Sequence, residues 1–262
     1  MYGAIIGDLA GSLYEFDQTK KVFPISVNQL IEEKSFYSDD TILTIAILDA
    51  ILQGEDYEKC IKKYIQEYMG YKPNYEPYFK TPFSPNLIKW YQGKVAGNSK
   101  GNGAMMRISP IGYLCTNEND IMTQSRLATL PSHNSIEAIQ AAQTVTQIIY
   151  YGNLGMNKQE IMKKMGIFTT YKPFDKFNTT CSDTLPNCLY ALFSSNNFEE
   201  AVKKVISFGG DTDTNACIVG SMAEALYSVD SNFVLLAKQK IPKEFNDVLE
   251  KGYCKIKKRT IY

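Results

Sequence analysis

The sequence carries two short acidic motifs near its opposite ends, "SDD" at residues 38–40 and "GGDTDT" at residues 209–214. Their carboxylates and hydroxyl groups form an all-oxygen set of potential ligands, which suits Mg²⁺, Mn²⁺ or Ca²⁺ better than zinc. If the motifs meet, two carboxylates about 4 Å apart would repel each other by about 4 kcal/mol at an effective dielectric constant of about 20. Bound divalent cations would remove this repulsion, and two ions would suit the four carboxylates better than one.

Each motif also has a structural interpretation that needs no metal. A carboxylate at a helix N-terminus contributes about 0.3–1 kcal/mol, which accounts for Ser38 as a cap and for one of Asp39 and Asp40. Consecutive side chains on a helix differ by about 100°, so these two carboxylates cannot both face one neighbour. In the second motif, Gly209 and Gly210 suit a turn with positive φ, and the carboxylates could serve as turn residue and N-cap. The spacing alone does not show that the motifs meet.

The elements that must position these motifs are helices. Apolar residues recur at helical spacing in most segments, whereas few segments alternate with a period of two. We therefore predict an all-α fold with long connections, formed by one domain over residues 1–262. The predicted helices cover residues 38–52, 56–69, 104–114 with a break or kink at Pro110, 135–152, 158–165, 184–194, 198–206, 214–228 and 243–251, and the proline-rich residues 71–86 are predicted to form a loop.

Small residues recur every three or four positions in the helices beside the acidic motifs. Gly3, Gly7 and Gly11 lie in the first helix, and Ala216 and Gly220 lie in the helix that follows "GGDTDT". A glycine inside a helix costs about 1 kcal/mol relative to alanine. This spacing therefore indicates that another backbone or a ligand approaches these helices closely.

Composition argues against several classes of protein. Lys and Arg total 28 and so do Asp and Glu, so net charge gives no indication of nucleic acid or an anionic membrane as a partner. The six cysteines form no Cys-x-x-Cys pair, which argues against a zinc ribbon or a redox motif. No apolar run reaches the ~18 residues that a membrane span needs, and the N-terminus lacks the basic region of a signal peptide. We predict a cytoplasmic monomer.

Six segments occur in an order and at separations that resemble those of the ADP-ribosylglycohydrolases, the family of the dinitrogenase-reductase-activating glycohydrolase. The segments are "GAIIGDLAGSLYEF", "YSDDT", "GNGAMMRISPIGYL", "SHNSIEAIQAAQ", "CSDTLPNCLYAL" and "FGGDTDTNACIVGSMAEALY", and together they span residues 3–228. The resemblance implies an all-α fold that holds two Mg²⁺ or Mn²⁺ ions between the acidic motifs. The implied metal ligands are Ser38, Asp39, Asp40, Asp211, Asp213 and Thr214.

The resemblance also implies candidate catalytic residues. Glu15 lies in "YEF", a segment whose glutamate lies beside the metal site in this family. Without the resemblance, Glu15 would be interpreted as an exposed carboxylate at a helix end. Glu15, Asp40 and Asp211 are the candidates for the catalytic base, and the sequence does not rank them.

A glycine-rich segment, "GNSKGNGAMMR" at residues 97–107, could bind phosphate through backbone N–H groups, although the pattern alone is weak. The resemblance implies that Ser99, Asn102 and Gly103 contact the diphosphate and distal ribose of ADP-ribose, while Arg107 braces the loop. The only histidine, His133 in "SHNSIEA", would face ADP-ribose. A lone histidine is otherwise more often structural.

The implied function is that of a dimetal-dependent hydrolase that cleaves the C1″ glycosidic bond between ADP-ribose and an acceptor, and so reverses ADP-ribosylation. The partner would be an ADP-ribosylated protein or a small ADP-ribosyl substrate, with nucleic acid only as a modified acceptor. Two alternatives stay open: a non-catalytic module that binds ADP-ribose, and a metal-dependent phosphohydrolase that acts on a nucleotide diphosphate. The motifs fix neither the acceptor nor the choice between Mg²⁺ and Mn²⁺.

Overall fold

The computed structural model describes residues 1–15, 24–73, 81–174 and 177–260, and within the last range it describes side chains up to residue 256. Across these ranges the chain forms fourteen helices and no β-strand, with isolated backbone bridges at Asn98–His133 and Gly101–Thr180. The prediction of an all-α fold is confirmed. The helices are α1 (Tyr2–Gly11), α2 (Asp39–Gln53), α3 (Tyr57–Tyr68), α4 (Pro85–Tyr91), α5 (Gly103–Met106), α6 (Ser109–Leu114), α7 (Glu118–His133), α8 (Ile136–Asn153), α9 (Lys158–Met165), α10 (Cys181–Phe193), α11 (Phe198–Ser207), α12 (Thr212–Leu226), α13 (Ser231–Lys240) and α14 (Lys243–Thr260).

Three helices, α4, α7 and α13, are missing from the sequence prediction. Helix α7 buries mainly small or polar side chains, including Ser125, Thr129 and Ser132, so it lacks the apolar stripe that marks an amphipathic helix. Helix α13 buries only Ala237. The loop predicted for residues 71–86 extends too far, because Pro85 occupies the first turn of α4, where a proline is tolerated.

Other differences concern helix boundaries. The segment predicted as one helix at residues 104–114 forms α5 and α6, and Pro110 lies in the first turn of α6, so the predicted break is present. Helix α10 begins at Cys181 instead of residue 184, because the side chain of Thr180 caps it by accepting a hydrogen bond from the Asp183 N–H. The remaining predicted helices are all present, and α14 continues to Thr260. Residues 74–80 of the predicted loop lie outside the described residues.

Helix α1 lies at the centre of the molecule, and all ten of its residues are buried. It packs against α12 at three successive glycines. A Cβ atom on Gly3 would lie 2.2 Å from the carbonyl oxygen of Gly220, and one on Gly7 would lie 2.0 Å from that of Ala216. A Cβ atom on Gly11 would lie 2.3 Å from the carbonyl oxygen of Thr212. The close approach that the glycine spacing indicates is therefore an approach of another helix backbone.

This packing sets the position of both acidic motifs. Helix α12 begins at the second motif and α2 begins at the first. Helix α1 lies beside both N-termini, because its Gly11 contacts Thr212 and its Asp8 accepts the Ser38 N–H. Of the helices in the described ranges, none combines the length and apolar character needed to span a membrane. The single domain, the monomeric state and the cytoplasmic location stay predictions.

Candidate active site

The two acidic motifs meet at the N-termini of α2 and α12. The hydroxyl of Thr214 donates a hydrogen bond to Asp40 Oδ2 across 3.2 Å, although 174 residues separate the two along the chain. The hydroxyl of Ser38 donates to the same oxygen across 3.1 Å and also accepts from the Asp40 N–H at 3.2 Å. Ser38 therefore caps α2, as its structural interpretation predicts, and it also contacts the carboxylate cluster.

A glycine turn brings the second motif into this position. Gly209 and Gly210 both have φ of 75°, in the left-handed region that favours glycine. A Cβ atom on Gly210 would lie 1.9 Å from Asn178 Oδ1, and that oxygen accepts the Asp211 N–H at 2.8 Å. Asp211 stands at the N-cap of α12 but makes no side-chain cap hydrogen bond, so its carboxylate is directed to other partners. One of them is Asn102, whose Nδ2 donates to Asp211 Oδ2 across 2.7 Å.

A further carboxylate, Asp8, belongs to the cluster and was not predicted from the sequence. It is fully buried in α1, and its Oδ2 accepts hydrogen bonds from the Ser38 N–H at 2.9 Å, the Thr41 N–H at 3.0 Å and the Thr41 hydroxyl at 2.5 Å. Asp8 thereby links α1 to the N-terminus of α2. The signal that could have found it is the presence of one carboxylate inside the otherwise apolar stretch "GAIIGDLAG".

The carboxylates form two groups that share Asp213. In one group, oxygens of Asp8, Asp40 and Asp213 all lie within 4.8 Å of one another, and in the other, oxygens of Glu15, Asp211 and Asp213 do so. Within the described part of the chain, Asp8 Oδ1 and Asp40 Oδ1 are buried and have no hydrogen-bond partner. Buried carboxylate oxygens without a partner are costly unless a cation binds them. The set of ligand atoms therefore fits divalent cations.

Burial and mutual repulsion raise the pKa values of the clustered carboxyls. Burial, and next the charge of Asp213, raises the pKa of Asp8 to about 7. Burial, followed by the charges of Asp213 and Asp211, raises the pKa of Glu15 to about 11. Burial and the charge of Asp213 also raise the pKa of Asp40 well above its ordinary value. Without a cation, these groups are favoured in their protonated, neutral forms.

A cavity of about 660 Å³ opens beside the cluster. Glu15, Asp39, Asp211 and Asp213 line one side, and the half-buried Asp39 belongs to neither carboxylate group. Among the described carboxylates, Asp8 and Asp40 lie in the cluster but do not line the cavity. The divergence of Asp39 and Asp40 that helical geometry predicts is thus present, with one carboxylate at the cavity and the other buried behind it.

The glycine-rich segment also lines the cavity, together with the end of α7. Ser99, Asn102, Gly103 and His133, the residues predicted to contact the substrate, all line the cavity, with Ser38 and Thr214 near the carboxylates. The segment is held by main-chain contacts, since the Asn102 N–H donates to the Thr179 carbonyl at 2.9 Å and the Ser99 N–H donates to the Ser132 carbonyl at 3.2 Å. The cavity wall is therefore fixed by its neighbours.

Arg107 is fully buried and braces α7. Its Nη2 donates to Ser132 Oγ at 2.7 Å and lies 3.4 Å from His133 Nδ1. Because α7 in turn binds the glycine-rich segment through the Asn98–His133 bridge, Arg107 supports that segment indirectly. No role was predicted for Ser132, since α7 was not predicted from the sequence.

Comparison with known proteins identifies one family that matches this chain. The family model described as ADP-ribosylglycohydrolase matches residues 1–254. The ADP-ribosylarginine hydrolase Tri1 of Pseudomonas putida is 24% identical over 87% of this chain and 70% of its own length. The human ADP-ribosylhydrolase ARH3 is 21% identical over 87% of this chain and 84% of its own length.

Two further similarities are more limited. The ADP-ribosyl-[dinitrogen reductase] glycohydrolase of Rhodospirillum rubrum is 26% identical over 50% of this chain and 47% of its own length. A solved structure described as an ADP-ribosylglycohydrolase-related protein complex aligns with a TM-score of 0.68 at 18% identity, over 97% of this chain and 93% of that chain, which shows the shared fold. Because the family model matches nearly the whole sequence, this chain belongs to the ADP-ribosylglycohydrolase family and is a glycohydrolase enzyme.

Proposed function

We propose that this enzyme cleaves the bond between C1″ of ADP-ribose and an acceptor atom, with divalent cations bound at the carboxylate cluster. The observation that supports the proposal best is that six carboxylates lie in or beside a cavity that a glycine-rich segment also lines. The cavity volume of about 660 Å³ lies in the range of about 300–1,000 Å³ that is usual for small-molecule sites. The six carboxylates are Asp8, Glu15, Asp39, Asp40, Asp211 and Asp213.

The proposed cofactors are two Mg²⁺ or Mn²⁺ ions. The shared position of Asp213 between two carboxylate groups supports two sites, and the all-oxygen set of ligands supports these metals over zinc. Bound ions of this kind lower the pKa of a bound water and orient substrate oxygens. The proposed ligands are the six residues implied by the resemblance, Ser38, Asp39, Asp40, Asp211, Asp213 and Thr214, with Asp8 added because of its unpartnered, buried Oδ1.

Among the candidate catalytic residues, Glu15 is the best placed to exchange a proton with the substrate. It lines the cavity, whereas Asp40 is buried behind it and accepts hydrogen bonds from two hydroxyls. Asp211 also lines the cavity, but its Oδ2 is held by Asn102 at 2.7 Å. Because the Glu15 carboxyl lines the cavity, it can exchange a proton with the attacking water or with the leaving acceptor atom. The other carboxylates would stabilise positive charge at the anomeric carbon.

ADP-ribose would lie along the wall formed by Ser99, Gly103 and His133, with its diphosphate near backbone N–H groups. The acceptor would enter beside the described parts of the predicted 71–86 loop, which are residues 71–73 and 81–86. Pro73 and Phe83 of that segment line the same cavity, which supports this placement. The name of each relative gives the linkage or target of that protein only, so the acceptor here is a matter for experiment.

The direct test is hydrolysis of arginine-linked and serine-linked ADP-ribosyl proteins in the presence of Mg²⁺, Mn²⁺ or a chelator. We expect release of intact ADP-ribose, dependent on the cation, from at least one linkage. Asp211→Asn should lower kcat at least 100-fold, because one carboxylate of the cluster is lost. The control is Glu33→Gln, since it removes the charge of an exposed carboxylate that does not line the cavity.

The products separate the alternatives. Binding of ADP-ribose by calorimetry without turnover of any substrate would identify a binding module. Release of AMP and ribose phosphate would identify a phosphohydrolase. Either result would refute the proposed reaction.

A further inference from the structure

The end of α7 holds a buried chain of hydrogen bonds that leads to the only histidine. Arg107, Ser132 and His133 are 0%, 3% and 7% exposed. Arg107 Nη2 lies 2.7 Å from Ser132 Oγ, and Ser132 Oγ lies 2.8 Å from His133 Nδ1. Arg107 Nη2 also lies 3.4 Å from the same ring nitrogen. The two contacts of His133 Nδ1 are therefore with Ser132 Oγ and Arg107 Nη2.

The chemistry of these groups fixes the direction of each hydrogen bond. A guanidinium has only donors, so Ser132 Oγ accepts from Arg107. A serine hydroxyl has one proton, and the acceptor within reach of it is His133 Nδ1. A proton on Nδ1 would instead face the donors of Arg107 and leave the serine proton without a partner. Nδ1 is therefore an acceptor, and the ring proton lies on Nε2.

The other side of the ring faces the cavity. His133 Nε2 lies 3.4 Å from the position of a Cβ atom built on either Gly101 or Gly103, so the ring packs directly against the glycine-rich segment. His133 lines the cavity, and within the described residues its Nε2 makes no hydrogen bond. The absence of side chains at both glycines leaves this N–H open to a ligand.

We propose that Ser132 and Arg107 are positioning residues that hold His133 as a neutral imidazole with its proton on Nε2. The Nε2–H then donates one hydrogen bond to a phosphate or hydroxyl oxygen of the ligand beside Gly101 and Gly103. Burial, and then the charge of Arg107, lowers the pKa of His133 well below its ordinary value, which agrees with a neutral ring. The tautomer is independent of the proposed function, whereas the contact with ADP-ribose depends on it.

The tautomer can be measured directly, because the sequence has one histidine. In protein labelled with ¹⁵N-histidine, long-range ¹H–¹⁵N correlation spectra distinguish a protonated ring nitrogen from an unprotonated one. We expect Nε2 protonated and Nδ1 unprotonated at neutral pH without ligand. A proton on Nδ1, or on both nitrogens, would overturn the proposal.

The role of Ser132 is tested with a matched serine in the same helix. Ser125 is also buried in α7, but its hydroxyl donates to the Ile121 carbonyl within the helix. Ser132→Ala should shift the Nδ1 signal and introduce the second tautomer, whereas Ser125→Ala should leave the histidine spectrum unchanged. Equal spectra for Ser132→Ala and wild type would show that Ser132 does not position the ring.

The donor at Nε2 is tested with two replacements of similar size. The amide of His133→Gln reaches the position of Nε2, and that of His133→Asn reaches only the position of Nδ1. We expect His133→Asn to bind ADP-ribose about three- to tenfold more weakly than His133→Gln in calorimetry, as loss of one hydrogen bond predicts. Equal or tighter binding by His133→Asn would overturn the donor role. Failure of the wild type to bind ADP-ribose would refute the proposed function and the donor role together, while the spectra would still decide the tautomer.

Discussion

The substitution Gly7→Ala tests whether the α1–α12 contact is what positions the carboxylate cluster. A Cβ atom at this position would lie 2.0 Å from the Ala216 oxygen, 2.4 Å from the Ala216 carbonyl carbon and 2.6 Å from the Cys217 nitrogen. All three are backbone atoms of α12, so no side-chain rotation can relieve the overlap. Ordinary contact begins at 3.4 Å, so the two helices must separate by about 1.4 Å.

The cost follows from this separation. Overpacking of a core usually costs about 1–3 kcal/mol, and the upper end is expected here because the neighbouring atoms are backbone. In a protein of this size, about 3 kcal/mol lowers Tm by roughly 6–12 °C. Because Asp8 follows Gly7 directly in α1 and Asp213 lies on α12, the separation also moves the two sides of one carboxylate group apart. Mg²⁺ should then raise Tm less in the variant than in the wild type.

The assay is thermal unfolding, followed by circular dichroism, with chelator and with Mg²⁺. Gly70→Ala is the matched control, because a Cβ atom there meets nothing within 4 Å and the residue does not have positive φ. We expect the control to unfold within about 2 °C of the wild type. If Gly7→Ala did the same and kept the full response to Mg²⁺, close helix approach would not be the reason for this glycine.

Three further predictions concern the site. The raised pKa values of Asp8 and Glu15 mean that the folded state is more stable while these carboxyls are protonated. The loss of folding stability is absent below about pH 4 and grows as the pH rises, for Asp8 up to about pH 7. The Tm of chelator-treated protein should therefore fall between pH 5 and pH 8, and addition of Mg²⁺ should raise it again. A Tm that rises over this pH range without metal would contradict the prediction. Asp8→Asn should weaken Mg²⁺ binding at least tenfold in calorimetry with the fold intact by circular dichroism, and wild-type affinity would exclude Asp8 as a ligand. Asn178→Ala removes the acceptor for the Asp211 N–H, so it should lower the free energy of unfolding in urea by about 1–3 kcal/mol and lower kcat. Replacement of the exposed Asn196 by alanine is the control and should change kcat little. Equal kcat values for the two variants would refute the role of Asn178 in positioning Asp211.

The sequence was informative wherever the determining interactions are local. Helices such as α8 and α9 were predicted because apolar residues recur at the helical period, and both carry the N-cap side chains typical of helix starts. The two glycines before Asp211 predicted a turn with positive φ, and this turn is present. The divergence of Asp39 and Asp40 also follows from the geometry of one helix, so it required no knowledge of the fold.

Only the tertiary structure decided which residues share the site. Asp8 lies in the cluster because α1 packs against α2 and α12, and the glycine spacing around Asp8 predicts a close neighbour without identifying which helix supplies it. Ser132 lies on a helix with few large apolar residues, so its contact with His133 was hidden by the weak periodicity of α7. Thr214 and Asp40 are joined by a hydrogen bond although 174 residues separate them along the chain. Periodicity determines the face that each side chain occupies on its own helix, whereas the neighbour of that face is determined by the packing of whole helices, which is a property of the complete core.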